Sequence, residues 1–272
     1  LGAVHLVVSD LERSLDFYQR ALGLRVHGRD GALARLGGGG ADLLALRELP
    51  GARRVRRHSG LYHFALLTPS RQALAQVLRN LAAERIELGG SDHLVSEALY
   101  LSDPDGNGIE VYRDRPRAEW PYAGGQLQMD TIPLDYHNVL AELAGQSAAW
   151  DGIDAGTTLG HMHLHVGDLT VAEAFYRDLI GLEVMVRYGG SALFLAAGGY
   201  HHHLGLNTWN GVGAPPAPAD AVGLERFELV LASQAELDGL RGRLAAAGQP
   251  FEAGEGRLTV RDPFGNQVEA RL

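Results

Sequence analysis

The chain has 272 residues, 46% hydrophobic and 21% charged, which is enough apolar material for two domain cores and excludes disordered and fibrous classes. With 24 basic and 33 acidic residues the formal net charge is -9, so there is no basic footprint for nucleic acid or an acidic membrane surface, and a small-molecule partner is expected. Every basic residue is Arg and Cys is absent, which removes Schiff-base lysines, P-loops, thiol nucleophiles, disulfides and Cys-type metal sites; twelve His, with Asp and Glu, remain as metal ligands. No apolar run approaches the roughly 20 residues that cross a bilayer and no basic-then-apolar leader opens the chain, so a cytoplasmic protein without membrane contact is expected.

Residues 4–24 match residues 162–182 at an offset of 158, with nine of 21 positions identical, and LSDPDGNGIEVY at 101–112 matches VRDPFGNQVEAR at 260–271. The chain therefore reads as a duplication: an N-terminal domain at 1–112, a connector at 113–159 and a C-terminal domain at 160–272. The connector carries Trp120 and Trp150, too apolar to stand in water, and an amphipathic stretch over Val139–Leu143, so it should pack against both copies.

In chain order, a strand is expected over Ala3–Val8. Asp10 then caps a helix with Leu11, Leu15, Tyr18 and Leu22 on one face, stopped by Gly23. Strands follow near Arg25–His27, Leu33–Leu36 and Asp42–Leu46. A second unit opens with Tyr62–Leu67 and a helix capped by Ser70, with Leu74, Val77, Leu78 and Leu81 along its face. In the second copy Asp168 caps the first helix before Gly181, and Ser233 with Glu236 forms a capping box for the other. The expected fold is α+β: four βαβββ modules, two per domain.

Chemistry is expected on the concave strand faces, where side chains alternate with period two. His5 lies mid-strand in AVHLVV, His63 in LYHFALL and Glu110 in GNGIEVY, a strand whose start is set by the turn DPDGN. Two His and one carboxylate from three strands have the composition of a facial triad, which holds Fe(II) or a similar ion and leaves the opposite positions open. A lone strand His is usually a core residue, but an inward Glu on an apolar strand is costly unless paired or metal-bound. In the second copy His163 aligns with His5 and Glu269 with Glu110, while Phe227 stands where His63 would be, so the copied triad is broken. His161, His163 and His165 alternate on one strand there, and a HHH run covers 201–203. A second site of different composition, from His163, His201 or His203 with Glu269, stays open beside a surface or assembly role for the run.

These motifs, with the four βαβββ units, resemble the vicinal oxygen chelate superfamily over nearly the whole chain outside the connector. The stretch DHLVSEALYLSDPDGNGIEVYRDRP and the later GGYHHHLGLNTW resemble its catechol 2,3-dioxygenase branch of extradiol ring-cleaving enzymes. The resemblance implies a catechol-type aromatic diol and O2 as substrates, and Fe(II) on His5, His63 and Glu110, with Mn(II) or another divalent metal as the alternative. It also implies catalytic roles for Tyr100, ten residues before Glu110, and for His93 upstream of it. Thr259 stands at the place of Tyr100 in the second copy, which puts the expected iron site in the N-terminal half. The family's acid–base His between the two ligand His has no match there beyond His58, in the Arg-rich loop RRVRRHSG. A homo-oligomer is expected. Two other readings are a glyoxalase I-like isomerase or lyase, with ligands on first and last strands of both units, and a binding protein that sequesters small molecules without chemistry.

Overall fold

The structure is a computed structural model that describes residues 1–145 and 150–272; positions 146–149 of the connector lie outside the described residues. The first module is β1 (Val4–Val8), α1 (Leu11–Leu22), β2 (Arg25–Asp30), β3 (Leu33–Gly37) and β4 (Leu44–Glu48). The second is β5 (Gly60–Leu67), α2 (Arg71–Ala83), β6 (Gly89–Asp92), β7 (Ser96–Ser102) and β8 (Gly108–Asp114). The connector adds β9 (Tyr122–Ala123), β10 (Gln126–Leu127), β11 (Ile132–Pro133) and α3 (Tyr136–Leu140). The third module is β12 (Thr158–His165), α4 (Leu169–Glu173, continued by π-helical turns over Ala174–Ile180), β13 (Glu183–Tyr188), β14 (Ala192–Ala196) and β15 (Leu204–Asn207). The fourth is β16 (Gly223–Val230), α5 (Gln234–Ala246), β17 (Phe251–Gly254), β18 (Arg257–Arg261) and β19 (Gln267–Arg271).

The helix ends follow the local chemistry. The Asp10 side chain accepts from Arg13 N–H, Ser70 from Ala73 N–H, and Ser233 from Glu236 N–H. Gly23 closes α1 in the left-handed region at φ 65°, where a side chain would be strained. In the connector, Val139 and Leu143 are buried and Trp120 donates its indole N–H to the Arg115 carbonyl.

The sheets cut across the sequence repeat. One runs β17-β18-β19-β16-β1-β4-β3-β2 and joins the first and fourth modules through the antiparallel pair β1–β16. The other runs β11-β6-β7-β8-β5-β12-β15-β14-β13 and joins the second and third modules through β5–β12, with the connector's β11 at one edge. Each sheet thus takes one module from each copy, and neither copy closes a sheet of its own. The pairing consumes the free edge that every first strand would otherwise present.

Within a copy the modules are tied differently. The buried Tyr18 hydroxyl on α1 donates to Asp103 of the DPDGN turn at 2.9 Å, and Tyr176 donates to Asp262 of the DPFGN turn at 2.9 Å. Each Asp also accepts two backbone N–H groups and the side chain of its turn's Asn. The best-repeated motifs, FY and DPxGN, are therefore structural. No helix of the described residues is long and apolar enough to cross a membrane.

Candidate metal centre

Strand β5 lies between β8, parallel to it, and β12, antiparallel to it. Ala65 pairs with Glu110 on one side and His161 on the other, and His63, two residues earlier on β5, points from the same face. The small Ala65 side chain leaves room for the three larger groups. Glu110 Oε2 is 3.0 Å from His63 Nε2 and 3.0 Å from His161 Nε2, and the two nitrogens are 3.3 Å apart. All three residues are buried.

This geometry fits a divalent metal ion. Donors bonded at about 2.1 Å with right angles between them lie about 3.0 Å apart, the spacing of one face of an octahedron. His63, Glu110 and His161 are the group of metal-ligating side chains that converges in this way among the described residues. Burial pushes the Glu110 carboxyl up, but His161 and His63 beside it prevail and hold it well below the usual carboxylate range. Burial lowers His161, keeping its imidazole in the neutral form that ligates.

The fourth place is informative. β5 and β12 are related by an approximate two-fold, in which His63 corresponds to His161 and Ala65 to His163. The residue opposite Ala65 on β8 is Glu110; the residue opposite His163 on β15 is Gly205. No side-chain donor stands there, and a Cβ at Gly205 would lie 2.8 Å from His163 Cγ.

Tyr100 pairs directly with Glu110 across β7–β8, and burial, then Glu110, pushes its hydroxyl well above the usual tyrosine range. His93 Nδ1 donates to the Asp130 carbonyl at 2.8 Å, which turns Nε2 toward the Tyr100 hydroxyl at 2.7 Å. The connector, carrying Asp130, thereby orients His93. On the opposite side the His202 ring lies 4.1 Å from that of His161, and burial holds His202 well below the usual histidine range. His202 Nδ1 is 2.8 Å from His201 Nδ1, and His201 Nε2 donates to Asp114 at 2.7 Å.

Of the expected ligands, His63 and Glu110 meet; His5 does not join them. It lies in the other sheet with Nε2 2.8 Å from Glu228, because β1 pairs with β16 and not with β5. The third member is His161, which the alternating HMHLH strand placed on the same face as His163. His163 pairs with His63 and is buried with Nε2 unpartnered, its pKa driven down by burial and by His63 and His161. The second site sketched from His163, His201, His203 and Glu269 is not assembled: Glu269 lies on β19 in the other sheet, 3.2 Å from Arg226. The HHH run precedes β15 and is not itself a strand, so alternation does not govern it, and it is His202 that reaches the centre. His203 instead accepts from Ala197 N–H at 3.2 Å. The counterpart of His63 in the other sheet is Arg226, which pairs with His5 as His63 pairs with His163; Phe227 is one residue off. His58 lies on the wall of a groove of about 1340 Å³ that reaches the centre at His63 and Tyr100, leaving Glu110 and His161 off its wall.

The family model described as Glyoxalase/Bleomycin resistance protein/Dioxygenase superfamily matches residues 1–111 and 158–270. A curated relative, the catechol-2,3-dioxygenase of Bacillus subtilis (strain 168), is 44% identical over 268 residues, 97% of this chain and 93% of that one. Among solved structures, a Bacillus subtilis subsp. subtilis str. 168 protein provisionally described as a dioxygenase aligns with a TM-score of 0.65 at 14% identity, covering 99% of this chain and 84% of its own. Glyoxalase I from Zea mays aligns with a TM-score of 0.58 at 14% identity, covering 99% of this chain and 92% of its own. At these identities the solved structures speak to the fold alone.

Proposed function

This chain belongs to the Glyoxalase/Bleomycin resistance protein/Dioxygenase superfamily, and on that premise we propose that it is a metal-dependent extradiol dioxygenase opening a catechol-type aromatic diol with O2. The observation that carries this reading is the convergence of His63, Glu110 and His161 with the Tyr100 hydroxyl beside them and glycine at the fourth place. The named relative supports the same activity. A divalent ion held by the three ligands, Fe(II) in this reading with Mn(II) as the alternative, supplies Lewis acidity to the diol oxygens and a common seat for diol and O2.

The chain's own groups handle protons and orientation. Tyr100, kept protonated by burial and by Glu110, passes its hydroxyl proton to His93 as it takes up the diol's, and then donates a hydrogen bond back to the anionic diol oxygen. His93, with its Nδ1–H tied to the Asp130 carbonyl, presents Nε2 as the acceptor for the proton the diol gives up, relayed by Tyr100. On the other side, Asp114 fixes the tautomer of His201, so His201 accepts at Nδ1 from His202 and leaves His202 Nε2 as a second base.

A glyoxalase I-like isomerase would need a side-chain ligand where Gly205 stands, and a sequestering binder has no use for three converging buried donors. The test is anaerobic loading with Fe(II), followed by catechol and air. A yellow ring-opened product is expected from the loaded protein and not from the metal-free one; stoichiometric iron without product would overturn the reading.

A further inference from the structure

We propose that Arg54 is an anion-binding residue of the substrate groove and that the preferred diol carries a carboxylate on its ring; this rests on the dioxygenase reading above. The groove that ends at His63 and Tyr100 is walled on one side by the loop over residues 53–59, the Arg-rich segment RRVRRHS. Arg54 and Arg56 both line it, and neither guanidinium has a hydrogen-bonding or ion-pair partner among the described residues. Of the other charges on the wall, Arg85 is exposed and Arg261 bonds only the Gly265 carbonyl, while several more are paired. Arg47 is paired with Glu225 at 2.8 Å, Asp105 binds Ser9 and Arg13, and Asp103 is consumed by its own turn and Tyr18. Glu87 is exposed at the rim.

Arg54 is exposed on the groove wall, and its guanidinium lies over Gly106, which stands at φ 83°, where glycine is favoured. Gly106 is two residues before Gly108, the residue that pairs with His63, and Arg54, His63 and Tyr100 line the same groove. A diol held at the His63 end would extend along this groove and turn a ring carboxylate toward a planar cation that no protein acid neutralises. Guanidinium binds carboxylate through two parallel N–H donors, which favours this substituent over a methyl group or hydrogen.

The test compares 3,4-dihydroxybenzoate with catechol, measuring binding to the purified protein by calorimetry without O2 and ring opening by the iron-loaded protein. The carboxylate is expected to bind at least tenfold more tightly at low salt, and the preference to shrink as salt rises. Arg54→Gln should collapse that ratio at least fivefold, Arg54→Lys should restore part of it, and Arg57→Gln, on the same loop but off the groove wall, should leave it in place. An unchanged ratio in Arg54→Gln overturns the proposal. If diols are opened without an Arg54-dependent ratio, the dioxygenase reading stands and this assignment falls. If the ratio moves with Arg54 but no diol is opened by the iron-loaded protein, the reverse holds.

Discussion

The two sheets carry equivalent strands and put different chemistry at one equivalent place. In the second sheet Ala65 stands between His161 and Glu110, with His63 on the same face. In the first, Glu228 stands between Ala3 and Glu269, with Arg226 in the place of His63 and Ala45 in that of Gly205. Both sheets place a carboxylate on the last strand of a module, Glu110 buried and Glu269 half-buried, and a carboxylate drawn out of water needs compensating donors or charge. The first sheet supplies a permanent one, the Arg226 guanidinium at 3.2 Å. The second supplies the imidazoles of His63 and His161, each with Nε2 3.0 Å from the carboxylate, a donor set suited to a metal ion. Glu228, at the centre of the first sheet, is satisfied by His5, Arg271 and the Ala3 N–H; against the upward push of burial these hold its pKa down to about 2. A duplicated scaffold thus keeps one copy of the position for binding and locks the other with ion pairs.

The largest effect should come from moving ligands between the two arrangements. His161→Ala is expected to lose the bound metal and to cut ring opening on the order of a thousandfold, about 4 kcal/mol of transition-state stabilisation. His5→Ala should keep metal content and activity and lose only stability, about 1–2 kcal/mol for the hydrogen bond to Glu228. His63→Arg copies the solution of the first sheet, with a guanidinium placed beside Glu110, and should abolish metal binding while the protein remains folded. Elemental analysis and thermal melts of the three variants check this; metal retained by His161→Ala and lost by His5→Ala would invert the assignment.

A smaller effect is expected one strand away, where Tyr100 in the second sheet corresponds to Thr259 in the first, each paired with the strand carboxylate. Tyr100→Phe removes one hydrogen bond to a charged oxygen, about 1.5–3 kcal/mol, and should lower kcat/KM roughly tenfold to a hundredfold with metal content unchanged. Thr259→Val, distant from the centre, should leave kcat/KM within about twofold. A Tyr100→Phe loss as small as that would make Tyr100 a packing residue.

The smallest effect is on the pH dependence of stability. In the second sheet burial lowers the pKa of His165 and His203, the latter to about 4, below the unfolded value of about 6.5. As pH falls through about 6.5 the unfolded chain takes up these protons first, so their contribution is full above that value and declines toward pH 4. In the first sheet Glu228 sits at about 2 against an ordinary 4.5, so its contribution is full above about 4.5 and is lost as pH falls toward 2. Melting temperatures of the metal-free protein should therefore decline in two stages, by a few degrees in each. Glu110 and Glu97 of the second sheet, also held below the usual carboxylate range, add to the lower stage, so Glu228→Gln should shrink that stage without removing it and leave the upper one in place; a change confined to the upper stage would contradict this.

The features legible in the sequence are those set within a few residues or by the repeat itself. Asp10, Ser70, Asp168 and Ser233 cap helices through bonds to residues two or three further on. The four βαβββ modules follow from local periodicity and duplication. His63, Glu110, Tyr100 and His93 could be found together because one module supplies them all, and the parallel β5–β8 pair and the β7–β8 hairpin are built into that module. What the sequence could not determine is which first strand meets which. All four carry similar apolar patterns, and hydrogen-bonded edges do not distinguish β1–β5 from β1–β16. That choice, made over separations of 98 and 223 residues, removed His5 from the centre and brought in His161. Nor can alternation of period two rank His161, His163 and His165, which share one face; only the register against β5, with Ala65 opposite His161, decides which of them ligates.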